Sequence, residues 1–213
     1  MDIIVNNYYN FAVRVTKLLY LNFLWIIFTL LGLIFLGLLP STTAVFSVTR
    51  KWTTGEEGFP IFKTFWNVYK NEFIKVNLYG VVFSVIGYLL LVSYRILRTQ
   101  ITLPYLIASY IVIGLLLIFL IGLTYFFPIY VHFNLKNKDY LTWPLIIGIN
   151  HPVLTFVLVG GVGFLHYLGI QYMPGVLLFL GASLTAYVIS WGVSKIYPLY
   201  TQKDYESEGV LEN

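Results

Sequence analysis

Histidine, carboxylate and cysteine are the side chains from which most metal and nucleophile chemistry is built, and this chain is sparing with all three. It has three histidines, His132, His151 and His166, and no cysteine. No two of the histidines have the spacing of metal ligands, and no Asp or Glu lies within four residues of any of them. Disulfides, thiolate nucleophiles and Cys-ligated zinc are excluded by composition. His132 and His151 fall on the same side of the predicted layout and could meet in space. Interfacial hydrogen bonding is the simpler role for them. No catalytic cluster, metal site or cofactor motif emerges, so a non-enzymatic protein without a cofactor is the expectation.

The elements that would position these side chains are apolar. Of 213 residues, 59% are hydrophobic, 19% aromatic and 10% charged, with a mean hydropathy of +0.81. A soluble fold carries about 25% charged residues, so lipid must replace water around much of this chain. Five runs are long enough to cross a bilayer: residues 18–39, 76–94, 104–127, 152–170 and 173–193. Twenty-two helical residues at about 1.5 Å each match a hydrocarbon core of about 30 Å. None of the five contains a charged residue. An ion-coupled transporter keeps such a residue at mid-depth because its cost there is justified only by function. The predicted fold is an all-α, polytopic membrane helix bundle with about five transmembrane helices plus interfacial amphipathic helices. Residues 1–200 form one transmembrane domain and 201–213 a solvated tail. The first run is too long for a cleavable signal and reads as a retained span.

Lysine and arginine in short loops orient such a bundle. With five crossings, Arg14, Lys17, Arg95 and Arg98 share one side. Arg50, Lys51, Lys63, Lys70, Lys75, Lys136, Lys138, Lys195 and Lys203 share the other. Four against nine predicts the N-terminus outside and the C-terminus in the cytoplasm. The net charge of +4 sits beside apolar runs, which favours anionic headgroups over nucleic acid as its counterpart.

The stretch GEEGFPIFKTFWNVYKNEF, residues 55–73, links two of these runs. On a helix over about 60–76, Phe62, Phe65, Trp66, Tyr69 and Phe73 form one stripe, and Lys63 and Lys70 fall outside it. The pattern predicts a helix lying flat at the interface, with its lysines toward headgroups. Two roles stay open for the stripe: packing on the bundle, or docking a partner. Ile4, Tyr8, Phe11, Val15 and Leu18 predict a second amphipathic helix before the first span, and 128–151 a further elbow. In the last span Ala182, Ala186, Ser190 and Ser194 recur every four residues, a pattern for close helix packing against this chain or another. Gly160, Gly161 and Gly163 thin the fourth span in the same sense.

Five segments carry a family resemblance: LNFLW at 21–25, PSTTAVFSVTRKWTTGEE at 40–57, FKTFWNVYKNEF at 62–73, YFFPIYVHFN at 125–134 and GINHP at 148–152. In this order the chain resembles the YesL-type family of bacterial integral membrane proteins, a family without an established activity. It departs from the family pattern at Asn150, where a basic residue is usual, and at Pro144, which implies an interrupted helix there. Such proteins are commonly encoded among carbohydrate-uptake and carbohydrate-degradation genes. The resemblance therefore implies an accessory or interaction protein beside a sugar transporter of the ATP-binding-cassette type. A small permease-like subunit for a neutral solute is the alternative.

Overall fold

A computed structural model describes residues 2–100 and 102–197, with side chains from Tyr8 onward. The solvated-tail expectation for 201–213 lies outside the described residues. Seven helices and no strand make up the described chain: α1 (Asp2–Leu31), α2 (Phe35–Thr53), α3 (Ile61–Leu97), α4 (Leu103–His132), α5 (Asp139–Asn150), α6 (Pro152–Tyr172) and α7 (Pro174–Ser194). Five helical stretches are long and apolar enough to cross a membrane: Tyr8–Leu31, α3, α4, α6 and α7. The spans expected at 76–94, 104–127, 152–170 and 173–193 fall within α3, α4, α6 and α7, with ends shifted by a few residues.

The run 18–39 is not one helix. It breaks at Gly32–Ile34, and α2 turns back along α1. Trp25 Nε1 donates to Thr42 Oγ1 across this hairpin at 3.0 Å. Leu33 and Ile34 both take positive φ, 58° and 64°, a conformation that branched side chains rarely adopt. The break is sealed for an apolar medium, where an unpaired backbone group is costly. The N–H groups of Gly32, Leu33, Ile34 and Phe35 each donate to a carbonyl between Phe28 and Leu33. Gly37 makes the close return possible: a Cβ there would lie 2.5 Å from the Thr29 carbonyl oxygen and 2.7 Å from that of Phe28.

Helix α2 is the centre of the bundle and packs on α1, α3, α4 and α7. In its Ser-Thr-rich segment three hydroxyls are paired by bonding backward within the helix, Thr42 to Leu38 O, Thr43 to Leu39 O and Thr49 to Phe46 O. Pro40, inside α2, cannot supply the N–H that would cap the Leu36 carbonyl. Asn77 Nδ2 of α3 donates to that carbonyl at 2.9 Å. The main core runs from Leu21 and Leu24 through Val45, Val48 and Phe65 to Tyr125, Ile129, Ile147, Val193 and Tyr197.

The segment 60–76 is likewise not a separate helix. It is the first half of the continuous, 37-residue α3, since no glycine, proline or turn interrupts 61–79. α5 runs through Pro144 without a break, where the sequence implied an interruption.

Candidate functional site

The aromatic stripe of α3 faces inward for most of its length. Phe65 and Tyr69 are buried, Trp66 and Phe73 half-buried, and Phe62 remains exposed. Phe28 of α1 lies at its centre, with ring centroids 5.2 Å from Phe65, 5.4 Å from Trp66 and 5.1 Å from Tyr69. Tyr69 Oη donates to the Phe28 carbonyl at 3.1 Å. Lys63 and Lys70 stay exposed, and Lys70 Nζ stands 5.1 Å from the centroid of the Trp66 ring.

The small-residue face of α7 meets α1 and α2 of the same chain. Ala186 and Ser190 are buried, Ala182 and Ser194 half-buried. Ser190 Oγ and Thr49 Oγ1 share a hydrogen bond at 2.9 Å. Beside Ala182, the buried Asn22 reaches into the α7 backbone. Its Oδ1 accepts from the N–H groups of Ala182 and Ser183 at 3.0 and 3.1 Å, and its Nδ2 donates to Leu178 O at 2.8 Å. Asn22 engages both members of the ordinary 182-to-178 helical rung. A polar side chain inside an apolar bundle is thereby satisfied by backbone alone.

The residues with chemical potential gather elsewhere. A cavity of about 240 Å³ is lined by Arg50, Glu72, Lys75, Tyr130, His132 and Asn134, together with Tyr140. It lies where the C-terminal ends of α2 and α4 meet α3 and the loop 133–138. That loop is pinned by two phenols. Tyr140 Oη donates to Phe133 O and accepts from Leu135 N–H, and Tyr79 Oη donates to Asn137 O. Arg50 donates to the Val131 carbonyl, which fixes its guanidinium at the cavity wall. Tyr130 Oη donates to the Glu72 carboxylate at 2.5 Å. Lys75 Nζ sits 5.3 Å from the Tyr130 ring centroid and 5.0 Å from that of Tyr140. His132 stacks on Tyr197 with centroids 3.4 Å apart. Burial raises the Tyr197 phenol above its ordinary range, and nearby Arg50 acts in the opposite direction.

Two buried donor-capable atoms in this wall, Arg50 Nε and His132 Nδ1, have no hydrogen-bond partner. Among the described residues, the one ion pair is Lys51–Glu56, so neither Arg50 nor Lys75 has a carboxylate within 4 Å. The cavity carries two cations against one carboxylate that is already engaged. Proximity in sequence could not reveal it, because Arg50 and His132 stand 82 positions apart. One sign was present. Three of the segments that carry the family resemblance supply its wall: Arg50 from 40–57, Glu72 from 62–73, and Tyr130, His132 and Asn134 from 125–134.

The histidines do not meet. His151 lines a different, mainly apolar cavity of about 460 Å³ at the α5–α6 junction, with Asn150, Pro152, Leu154 and Val157. His166 Nδ1 donates within α6 to Val162 O at 2.9 Å. Among the described residues, no group of three His, Asp or Glu side chains could hold a metal ion.

Among the described residues, seven helices with five membrane-length apolar stretches define a multi-pass helical membrane protein. A family profile described as "Protein of unknown function, DUF624" matches residues 18–94. The chain is 38% identical over 176 residues to the uncharacterized protein YesV of Bacillus subtilis strain 168, covering 82% of this chain and 84% of that one. It is 35% identical to YteU of the same organism, covering 83% and 79%, and 30% identical to YesL, covering 85% and 86%. The chain belongs to this family. No solved structure matches it.

Proposed function

We propose that this chain is a non-enzymatic accessory protein of the bacterial cell membrane, which engages other membrane components from its charged end. The observation that supports this most is the division of the molecule. Two packed apolar clusters join the helices, which weighs against a polar solute path between them. Most of the basic side chains, with the polar cavity, gather at one end, Arg95 and Arg98 excepted. The family resemblance directs the choice of partner toward a subunit of a sugar-uptake transporter of the ATP-binding-cassette type, with a second copy of this chain as the other candidate. The aromatic stripe is a poor docking face, because Phe28 covers it. The loops 54–60 and 133–138 are the better candidates.

The α1–α2 hairpin also favours a different orientation from the five-crossing layout. An outside N-terminus followed from reading 18–39 as a single crossing. In an antiparallel hairpin, the end of α1 bearing Arg14 and Lys17 lies on the same side as the end of α2 bearing Arg50 and Lys51. Counting them together places eleven basic residues on one side and two, Arg95 and Arg98, on the other. Eleven against two supports both termini on the cytoplasmic side. Arg14 and Lys17, which fall on the minority side of the five-crossing count, then join the majority.

Purification in mild detergent tests the accessory role. A transporter subunit should be retained, and Lys136→Gln with Lys138→Gln should lower its recovery severalfold while leaving expression intact. Recovery of no membrane partner, together with movement of a neutral sugar into liposomes containing the pure protein, would establish the permease alternative instead.

A further inference from the structure

We infer that the cavity between Arg50, Lys75 and His132 is a binding site for a phosphate group. The inference goes beyond the accessory role and does not depend on it.

Four observations converge. Among the described residues the cavity holds two cations with no carboxylate partner, so these side chains present net positive charge to whatever enters. Its single carboxylate, Glu72, is occupied by the Tyr130 hydroxyl. Arg50 is fixed by one bond to Val131 O, while its Nε is buried with no acceptor. His132 Nδ1 is buried without a partner in the same wall. Orphaned buried donors are rare in folded proteins; a ligand oxygen would satisfy Arg50 Nε, and His132 Nδ1 in the tautomer that carries its proton there. The guanidinium fork matches the spacing of phosphate oxygens, whereas Lys75 contributes as a mobile point charge. Asn134 adds a neutral amide at the rim.

The place of the cavity fits the same ligand. Tyr130 and His132 end α4, and the non-helical segment 133–138 follows at once. This is the depth at which a membrane protein leaves hydrocarbon for headgroups. A phosphodiester of an anionic lipid and a soluble phosphate monoester present the same oxygens to Arg50 and Lys75, and they differ in how they arrive. The volume of about 240 Å³ admits a phosphate with a small substituent and leaves acyl chains outside.

The test uses the full chain in a neutral detergent, titrated with short-chain phosphatidylglycerol, short-chain phosphatidylcholine and glycerol 1-phosphate. Thermal stability and native mass spectrometry report binding. Phosphatidylglycerol or glycerol phosphate should raise the melting temperature, and Lys75→Gln and Arg50→Gln should each weaken that response about tenfold. Lys75 is exposed, so its variant folds even if the Arg50 variant does not. Saturable binding of phosphatidylglycerol without glycerol phosphate assigns the site to a lipid headgroup. Equal affinity for both assigns it to a soluble ester. Binding that is unchanged in Lys75→Gln, or no binding of either phosphate by the wild-type protein, overturns the inference.

Discussion

Asn77 of α3 donates to the carbonyl of Leu36 in α2, at the position where Pro40 leaves that carbonyl without its helical partner. The two helices are thus joined by repair of a proline defect. Asn77→Ala should cost about 1–3 kcal/mol, because a carbonyl in an apolar medium loses its only side-chain donor. Pro40→Ala restores the missing N–H and should remove most of that cost. A double-mutant cycle read by thermal unfolding checks this, and two additive substitutions would show that the pair is not coupled.

The hairpin tip depends on the absence of a side chain at Gly37. Its Cβ would meet two backbone carbonyls of α1, and backbone cannot yield as a flexible side chain does. Gly37→Ala should therefore destabilise by about 1–3 kcal/mol. Gly55→Ala introduces no clash, since nothing lies within 4 Å of the added Cβ, but its φ of 85° makes it the strain control. A smaller loss of melting temperature at 37 than at 55 would contradict the close approach.

Asn22 should matter more than any other polar residue of α1. Asn22→Leu keeps the volume and removes three contacts to α7, which predicts a loss of about 1–2 kcal/mol. Hydrogen exchange should accelerate at Ser183, whose N–H bonds to Oδ1. Unchanged exchange there would mean that α7 does not rely on this clamp.

Phe65 and Phe62 separate packing from docking within one stripe. Phe65 is fully buried and Phe62 is 49% exposed. Phe65→Ala should cost about 3–5 kcal/mol, and Phe62→Ala much less. Equal, small effects in detergent would return the stripe to the role of a free docking face.

The membrane class and four of the five spans were legible in the sequence because hydropathy over about twenty residues is a direct physical requirement of the bilayer. The break at Gly32–Ile34 was not. Leu33 and Ile34 are as apolar as the helices they join, so hydropathy runs through the turn unaltered, and positive φ at a branched residue is set by tertiary contact. The amphipathic pattern over 60–76 marks the stripe but leaves packing and docking open and suggests a separate flat helix; what covers the stripe, Phe28, comes from the hairpin that hydropathy does not show. The cavity was hidden for another reason. Arg50, Lys75 and His132 each look like ordinary charge or polarity at the end of an apolar run, and only the packing of α2, α3 and α4 brings them together.

Labelling of single cysteines bears most directly on the layout in which the charged residues, the cavity and both termini share one face. The chain has no cysteine of its own, so variants at Asn10, Glu57, Thr99 and Asn137 give unmixed signals. An impermeant maleimide applied to intact cells should label position 99 alone, and all four positions should react once the membrane is opened. Labelling of position 10 together with 99 in intact cells, with 57 and 137 protected, would show that the N-terminal hairpin does not return to its starting side and would contradict the layout.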